Sequence, residues 1–432
     1  MRRRQMRTVH AFERQPIDEL YRWFASEAEP TSPIWGRLCR WIAEHPEVSD
    51  RLDRLPGVKR QPNVFLAALK YWGGPLEPGP EFVDWVEAQW PELESLILSR
   101  ATQTNEPGRC AVLAPVLASL PQPITLLEIG SSAGLCLLPD RYRYRYASSP
   151  SSVDAEATHG PAIAGAHREL GRRPPSTNSQ QSAQAGQTTG LYTELPLRET
   201  NGEMRLTGSN RQVELQGLGG AVGLQGPDRQ VRLQGPAGEV GLPGLDRVVQ
   251  PAAASEDAPV LDCRVTGTPP GDPSDLVIAA RRGLDLSPLN PADADDARWL
   301  RALVWPGEDA REARLAACLA LAAADPPPVL VGDLRHRLDA LLAGVAPGTT
   351  PVLQHSAVLS YLPRADRDAF ERAVTASGIH WLSYEGPSVV TSVKAKLTDR
   401  DRWEKTPNFV VALDGAPIAR ASAHGGWVHW SS

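Results

Sequence analysis

Apolar residues recur at helical spacing through the first hundred positions. Ile17, Leu20, Trp23 and Phe24 make one stripe, and Ile34, Trp35, Leu38, Trp41 and Ile42 a second. Phe82, Trp85, Val86 and Trp90 make a third, so residues 11–100 read as helices. Six of the twelve tryptophans fall before residue 91, and packing in an aromatic core explains them better than a ligand cage. A polar stretch, Arg100 to Arg109, leads into another helix over Cys110–Leu120. It either lines a site or caps that helix. Then the period changes. Ile124, Leu126, Leu127 and Ile129 give the unbroken apolar run of a strand covered on both faces. It ends in Gly130-Ser-Ser-Ala-Gly134, a tight bend expected to open a helix whose first amides face an anion or polar ligand.

Asp140-Arg-Tyr-Arg-Tyr-Arg-Tyr146 alternates cation and ring, so a strand here puts arginines on one face and tyrosines on the other. A half-buried strand with a solvated arginine face is the favoured reading. Residues 147–203 are rich in Ser, Ala, Gln, Gly, Thr and Pro, too few apolar groups to offset the entropy of ordering them. A nonapeptide repeat fills residues 204–250, with Val213-Glu-Leu-Gln-Gly217, Val222-Gly-Leu-Gln-Gly226 and Val231-Arg-Leu-Gln-Gly235 as its clearest units. Each unit predicts a strand of about 3–5 residues and a turn, unless the repeat is an expanded coding repeat with no packed fold. The turns lack the aspartate of calcium-binding rolls, so no calcium or other metal is expected.

From residue 258 strands and helices alternate. Val260–Val265, Leu276–Ala280, Val329–Val331, Val352–Leu359 and Ile379–Ser383 are expected strands; 297–305, 310–324, 334–342 and 366–377 are expected helices. A hairpin around Asp414-Gly415 closes the chain. The pattern predicts an α/β fold: a doubly wound, Rossmann-like sheet with a terminal antiparallel hairpin, a helical N-terminal subdomain and an inserted low-complexity and β-repeat segment. The division is 1–110, then 111–146 with 258–432, interrupted by 147–203 and 204–250.

Composition removes some function classes. Net charge is −6 over 432 residues, so no global basic field argues for nucleic acid or anionic lipid. Forty of the 45 cations are arginine, which reads as coding bias. No run of about 18 apolar residues is present, and the basic start lacks the apolar stretch of a signal peptide. The five cysteines are scattered without a CxxC pair, as expected of reduced thiols in a cytoplasmic protein.

In a doubly wound sheet, ligands bind at the carboxyl ends of the strands. The expected tips carry Glu128 and Gly130, Asp285, Asp333, His355 with Ser356, and Glu385. Leu126-Leu-Glu128-Ile-Gly130-Ser-Ser-Ala-Gly134 resembles the first motif of class I S-adenosylmethionine-dependent methyltransferases. Gly283-Leu-Asp285-Leu-Ser-Pro288 and Val331-Gly-Asp333-Leu resemble the acidic ends of that family's second and third strands. The resemblance implies that Glu128, Gly130, Ser132 and Gly134 hold the methionine part. By the same resemblance Asp285 binds the ribose hydroxyls, and Asp333 takes the adenine amine. No Asn-Pro-Pro-Tyr tetrad is present, which argues against an enzyme that N-methylates nucleic acid. His355, Tyr361 and Glu385 are the candidates for a general base or for binding the acceptor, whose identity the sequence leaves open. More narrowly, Gln103-Thr-Asn-Glu, the bend, Arg-Gly-Leu-Asp285-Leu and Leu303-Val-Trp-Pro306 resemble the bacterial domain of unknown function 2332.

Two other readings stay open. Gly130-Ser-Ser132-Ala-Gly134 also fits the G-x-S-x-G elbow of a serine hydrolase, with Ser132 as nucleophile, Asp333 as the acid and His355, His380 or His424 as the base. A module that binds a nucleoside without turnover is the third.

Overall fold

The computed structural model describes residues 15–103, 105–148, 247–398 and 408–431, and the backbone of six three-residue strands between 197 and 240. The chain divides into two compact units, Met1–Ala166 with Arg247–Ser432, and His167–Asp246. In the second unit, Gln212–Glu214 pairs antiparallel with Ala221–Gly223, setting Val213 opposite Val222, the first residues of consecutive repeats. Leu197–Glu199 with Gly202–Met204, and Leu233–Gly235 with Gly238–Val240, form two further pairs, each its own sheet. The rest of the low-complexity stretch and of the repeat lies outside the described residues.

Seven helices precede the sheet in the first unit: α1 (Ile17–Ala28), α2 (Pro33–Ile42), α3 (Pro46–Asp53), α4 (Pro62–Tyr71), α5 (Pro80–Ala88), α6 (Trp90–Ser99) and α7 (Cys110–Ala118). The predicted stripes are what they bury. Ile17, Leu20 and Phe24 of α1, Trp35, Leu38 and Ile42 of α2, and Phe82 and Val86 of α5 are all buried. Five of the seven carry proline in the first turn, where its missing N–H has no intrahelical partner to lose.

The sheet has eleven strands: β1 (Ile124–Ile129), β2 (Arg143–Ser148), β3 (Arg247–Val249), β4 (Val260–Thr266), β5 (Ile278–Asp285), β6 (Val329–Val331), β7 (Thr350–Ser356), β8 (His380–Glu385), β9 (Phe409–Leu413), β10 (Ala416–Ala421) and β11 (Trp427–Trp430). Their spatial order is β6-β5-β1-β7-β8-β9-β10-β11-β4-β2-β3. The first five are parallel, and within that set the chain order runs third, second, first, fourth, fifth. The order therefore reverses at β1. β1 is buried at all six positions. Ile124 and Leu126 join the cluster that holds Trp35, Leu38 and Phe65 of the N-terminal helices. Leu127 and Ile129 face Leu341 of α10 (Leu334–Leu342), Phe370 of α11 (Arg364–Ser377) and Val393 of α12 (Thr391–Lys396) on the other side. Two further helices, α8 (Ala294–Ala302) and α9 (Asp309–Ala324), join β5 to β6.

Two expectations change. The closing hairpin turns at Asp414 and Gly415, both at positive φ, but it continues into β11, so the end is a three-stranded meander. The segment after Gly134 is not an α-helix. It makes two single 3₁₀ turns, Leu135–Leu137 and Pro139–Arg141. Pro139 is the cause: its ring would clash with a helical carbonyl at Leu135, and it keeps Leu138 out of the helical region. The chain then crosses to the far side of the sheet as β2. There Tyr142 and Tyr144 are fully buried and Arg145 is exposed, the facing expected of the alternation. β2 pairs with β3 antiparallel, Tyr146 opposite Arg247, so the two ends of the insertion meet as in a hairpin.

Candidate functional site

The carboxyl tips of β5, β1, β7 and β8 lie side by side, and the bend after β1 sits among them. Gly130, Ser132 and Gly134 all have positive φ, 71°, 51° and 74°, so the turn uses the left-handed region three times in five residues. A Cβ on Gly130 would lie 2.1 Å from Val358, and one on Gly134 2.4 Å from Pro327. Both glycines admit a neighbouring side chain that closes over the bend. Asp285, last residue of β5, accepts from the Ser132 amide at 2.9 Å and from the Ser287 amide at 2.8 Å. One oxygen takes each bond, and the half-buried carboxylate keeps a lone pair on each.

Beneath the bend lies Glu128, 3% exposed. Its Oε1 accepts from Gln354 Nε2 at 3.3 Å, across the β1–β7 register. Burial, then the nearby Cys136, pushes its carboxyl well above the usual range, against the Gln354 bond and Arg109. Three buried atoms here have no hydrogen-bond partner among the described residues: Glu128 Oε2, Gln354 Oε1 and Ser132 Oγ.

The next tip is organised by Glu385 at the end of β8. Its Oε1 accepts from the amides of Val358 and Leu359 at 2.8 and 2.9 Å and meets His355 Nδ1 at 2.9 Å. Trp381 Nε1 donates to His355 Nε2 at 2.9 Å, so the imidazole is the neutral tautomer with its proton on Nδ1. Both its nitrogens are committed. The pair holds the turn after β7, where Ala357 has φ of 57° and Val358 reaches Gly130. Tyr361, in the 3₁₀ turn that follows, is 52% exposed.

The expected acids do not converge. Asp333 follows β6 beside Asp285, since Gly332 N donates to the Asp285 carbonyl. Its carboxylate, however, caps α10 through the Arg335 amide at 2.9 Å and is held by the Arg335 guanidinium. That arginine keeps it below the usual carboxylate range, and also pairs with Asp366. The separation is local chemistry: an Asp two residues before an Arg at a helix start satisfies its own cap first. Glu128 is buried beneath the bend, and no hydrogen bond links it to Asp285 or Asp333 among the described residues.

Nor does any of the three imidazoles hydrogen-bond Ser132 Oγ. His355 is committed as above, His380 opens β8 and pairs with Asp414 at 2.9 Å, and His424 lies 3.6 Å from Glu106.

Gln103 and the segment 105–109 lie against the bend and the loop after β5. Gln103 Nε2 donates to the Ser287 carbonyl at 2.7 Å and Asn105 Nδ2 to that of Ser131 at 3.5 Å. Glu106, 2% exposed, accepts from Gly108 N at 3.0 Å, Arg311 Nε at 2.7 Å and Arg314 Nη2 at 3.1 Å. Burial alone would raise it, but Arg314 and Arg311 hold it well below the carboxylate range. A cavity of about 20 Å³ lies between this segment and α8–α9, lined by Asn105, Glu106, Trp305 and Arg311, room for about one water. Glu106 and Arg109 belong to the polar stretch read as lining a site or capping a helix; Gln354 and Trp381 are site residues that the sequence pattern does not single out.

The family model described as "Uncharacterized protein conserved in bacteria (DUF2332)" matches residues 18–173 and 202–430. The chain belongs to that family. The match runs across the N-terminal helices, the bend and every strand of the sheet, and it breaks only inside the insertion. No curated protein matches the chain, and no solved structure does. Among the described residues of this family member, no helix is long and apolar enough to cross a membrane.

Proposed function

We propose that the carboxyl edge of the sheet binds S-adenosylmethionine and that the protein transfers its methyl group to a small acceptor. One observation carries the reading: three orphaned buried atoms, on β1, its bend and β7, where the strand order reverses. Buried polar atoms without partners cost about 1–3 kcal/mol each, and a ligand ammonium supplies the three donors they lack. Glu128 Oε2, Ser132 Oγ and Gln354 Oε1 would hold the amino end of the methionine part. Asp285, with a lone pair on each oxygen, would meet the two ribose hydroxyls. For Asp333 to take the adenine amine it would exchange part of its contact with Arg335. When bound, the cofactor supplies an electrophilic methyl on a sulfonium. The chain's own part is then to orient and to exclude water, with His355 and Glu385 holding the 357–361 turn. Of the three base candidates, only Tyr361 is exposed.

Calorimetry on the full chain tests this. Asp285→Asn should weaken S-adenosylmethionine binding roughly tenfold to a hundredfold, the worth of hydrogen bonds to a charged group. No heat from folded wild-type protein would end the proposal. Binding without turnover over an acceptor panel would leave the nucleoside-binding module. The serine hydrolase has one observation in its favour, the left-handed φ of Ser132 with its unpartnered hydroxyl, and labelling of Ser132 by a fluorophosphonate would decide for it.

A further inference from the structure

Arg109 is the anomaly of this edge. It is 3% exposed, yet among the described residues it is in no ion pair. Its Nε donates to the Ala423 carbonyl at 2.8 Å, and its Nη1 to the carbonyl and hydroxyl of Ser356 at 3.2 and 3.1 Å. Those bonds fix the guanidinium between the tip of β7 and the turn joining β10 to β11. Nη2 makes no hydrogen bond among the described residues, and it is not one of the atoms sealed from solvent. Of the acids nearby, Glu106 is matched by Arg311 and Arg314, and Glu308 by Arg311. Glu385 gives its Oε1 to the His355 bond and two amides. Its Oε2 and that of Glu128 have no hydrogen-bond partner among the described residues, and neither acid forms an ion pair with Arg109. Tyr361, half exposed, feels the charge of both Arg109 and Glu385. A buried cation in no ion pair is costly, and three neutral acceptors do not remove that cost.

We propose that Arg109 receives the carboxylate of the small molecule that enters at this edge beside Tyr361. The guanidinium is anchored on two nitrogens and offers the third, so it is preorganised to bind an oxyanion without first being ordered. This rests on reading the edge as a ligand site, not on which nucleoside, if any, binds beside it.

The test is thermal unfolding of the full chain in sodium malonate against sodium chloride at equal ionic strength. At saturation malonate should raise the melting temperature of the wild type by about 2–4 °C. Arg109→Gln should abolish the rise, and Arg100→Gln, whose arginine is paired with Asp296, should keep it. Should Arg109→Gln not fold, Tyr361→Asp places a carboxylate beside Arg109 from a half-exposed position, and it too should abolish the malonate effect. An equal rise in Tyr361→Asp or Arg109→Gln, no rise over chloride in the wild type, or a rise with inorganic phosphate and none with malonate would each overturn the proposal. A malonate response with no heat from S-adenosylmethionine would sink the cofactor and leave Arg109 standing; the reverse pattern would do the opposite.

Discussion

Glu106 and Glu128 flank α7 in the chain, both nearly removed from water, at 2% and 3% exposure. Their carboxyl pKa values are shifted in opposite directions. Glu106 has Arg311 on one oxygen and Arg314 on the other, together with the Gly108 amide. Glu128 has one neutral amide, a neighbouring thiol and an oxygen with no partner. Burial acts equally on both; what differs is whether a cation is built in beside them. The lesson is that a buried acid is read from its partners. Glu106, the last residue of Gln103-Thr-Asn-Glu, anchors a structural ion cluster that ties the segment over the bend to α9. Glu128, which the first motif does mark, is held in reserve.

The largest effect is expected where the cluster is broken. Glu106→Gln strips the charge that Arg311 and Arg314 were arranged around, and it should cost about 3–5 kcal/mol, the usual loss when one member of a buried ion pair is removed. Urea unfolding measures it. A loss under 1 kcal/mol would mean that the arginines find water or other partners, and the contrast with Glu128 would disappear.

The bend above Glu128 is closed by Val358 against Gly130, and opening it sharpens the comparison next. Gly130→Ala sets a Cβ against Val358 in a left-handed turn. Overpacking and the backbone term together should cost about 2–4 kcal/mol. Val358→Ala in the same chain should return the packing part and leave the backbone part. If the double variant is no more stable than the single one, Val358 does not close the bend.

Much of this arrangement is legible in the sequence, and the limits are physical. β1 was readable to its last residue because an apolar run between a proline and a glycine bend admits few alternatives. Asp285, His355 and Glu385 stand at strand tips as the alternation of strands and helices requires. What is not legible is non-local. Nothing in Arg143–Ser148 or Val260–Thr266 says that these strands cross to the far edge to join Trp427–Trp430. The capture of Asp333 by Arg335, two residues on, is local and was legible in principle. The failed helix after Gly134 was legible in principle, since Pro139 stands four residues after Leu135. The insertion shows the reverse case: its long, weakly patterned sequence costs the sheet little to host, because Tyr146 and Arg247 close it as a hairpin would.

The smallest and most specific effect is the pH dependence that separates the two glutamates. Glu106 has its folded pKa depressed, so its contribution is present above the unfolded value of about 4.3 and is lost as pH falls through the folded one. Glu128 runs the other way. Its folded pKa is raised by burial and by Cys136, so the native state keeps a proton that the unfolded chain releases above about pH 4.3, and stability falls as pH rises from there. Glutamine has no proton to release. Glu128→Gln should therefore match the wild type in urea midpoint near pH 4 and exceed it progressively toward pH 8, with the m-value unchanged. Parallel curves over that range would mean that Glu128 is already ionised in the folded protein. A ligand ammonium would then meet a bare carboxylate oxygen without displacing a proton, and no proton release would accompany its binding. If the curves diverge as expected, binding such a ligand must release a proton from Glu128, and calorimetry in buffers of different ionisation enthalpy would register it.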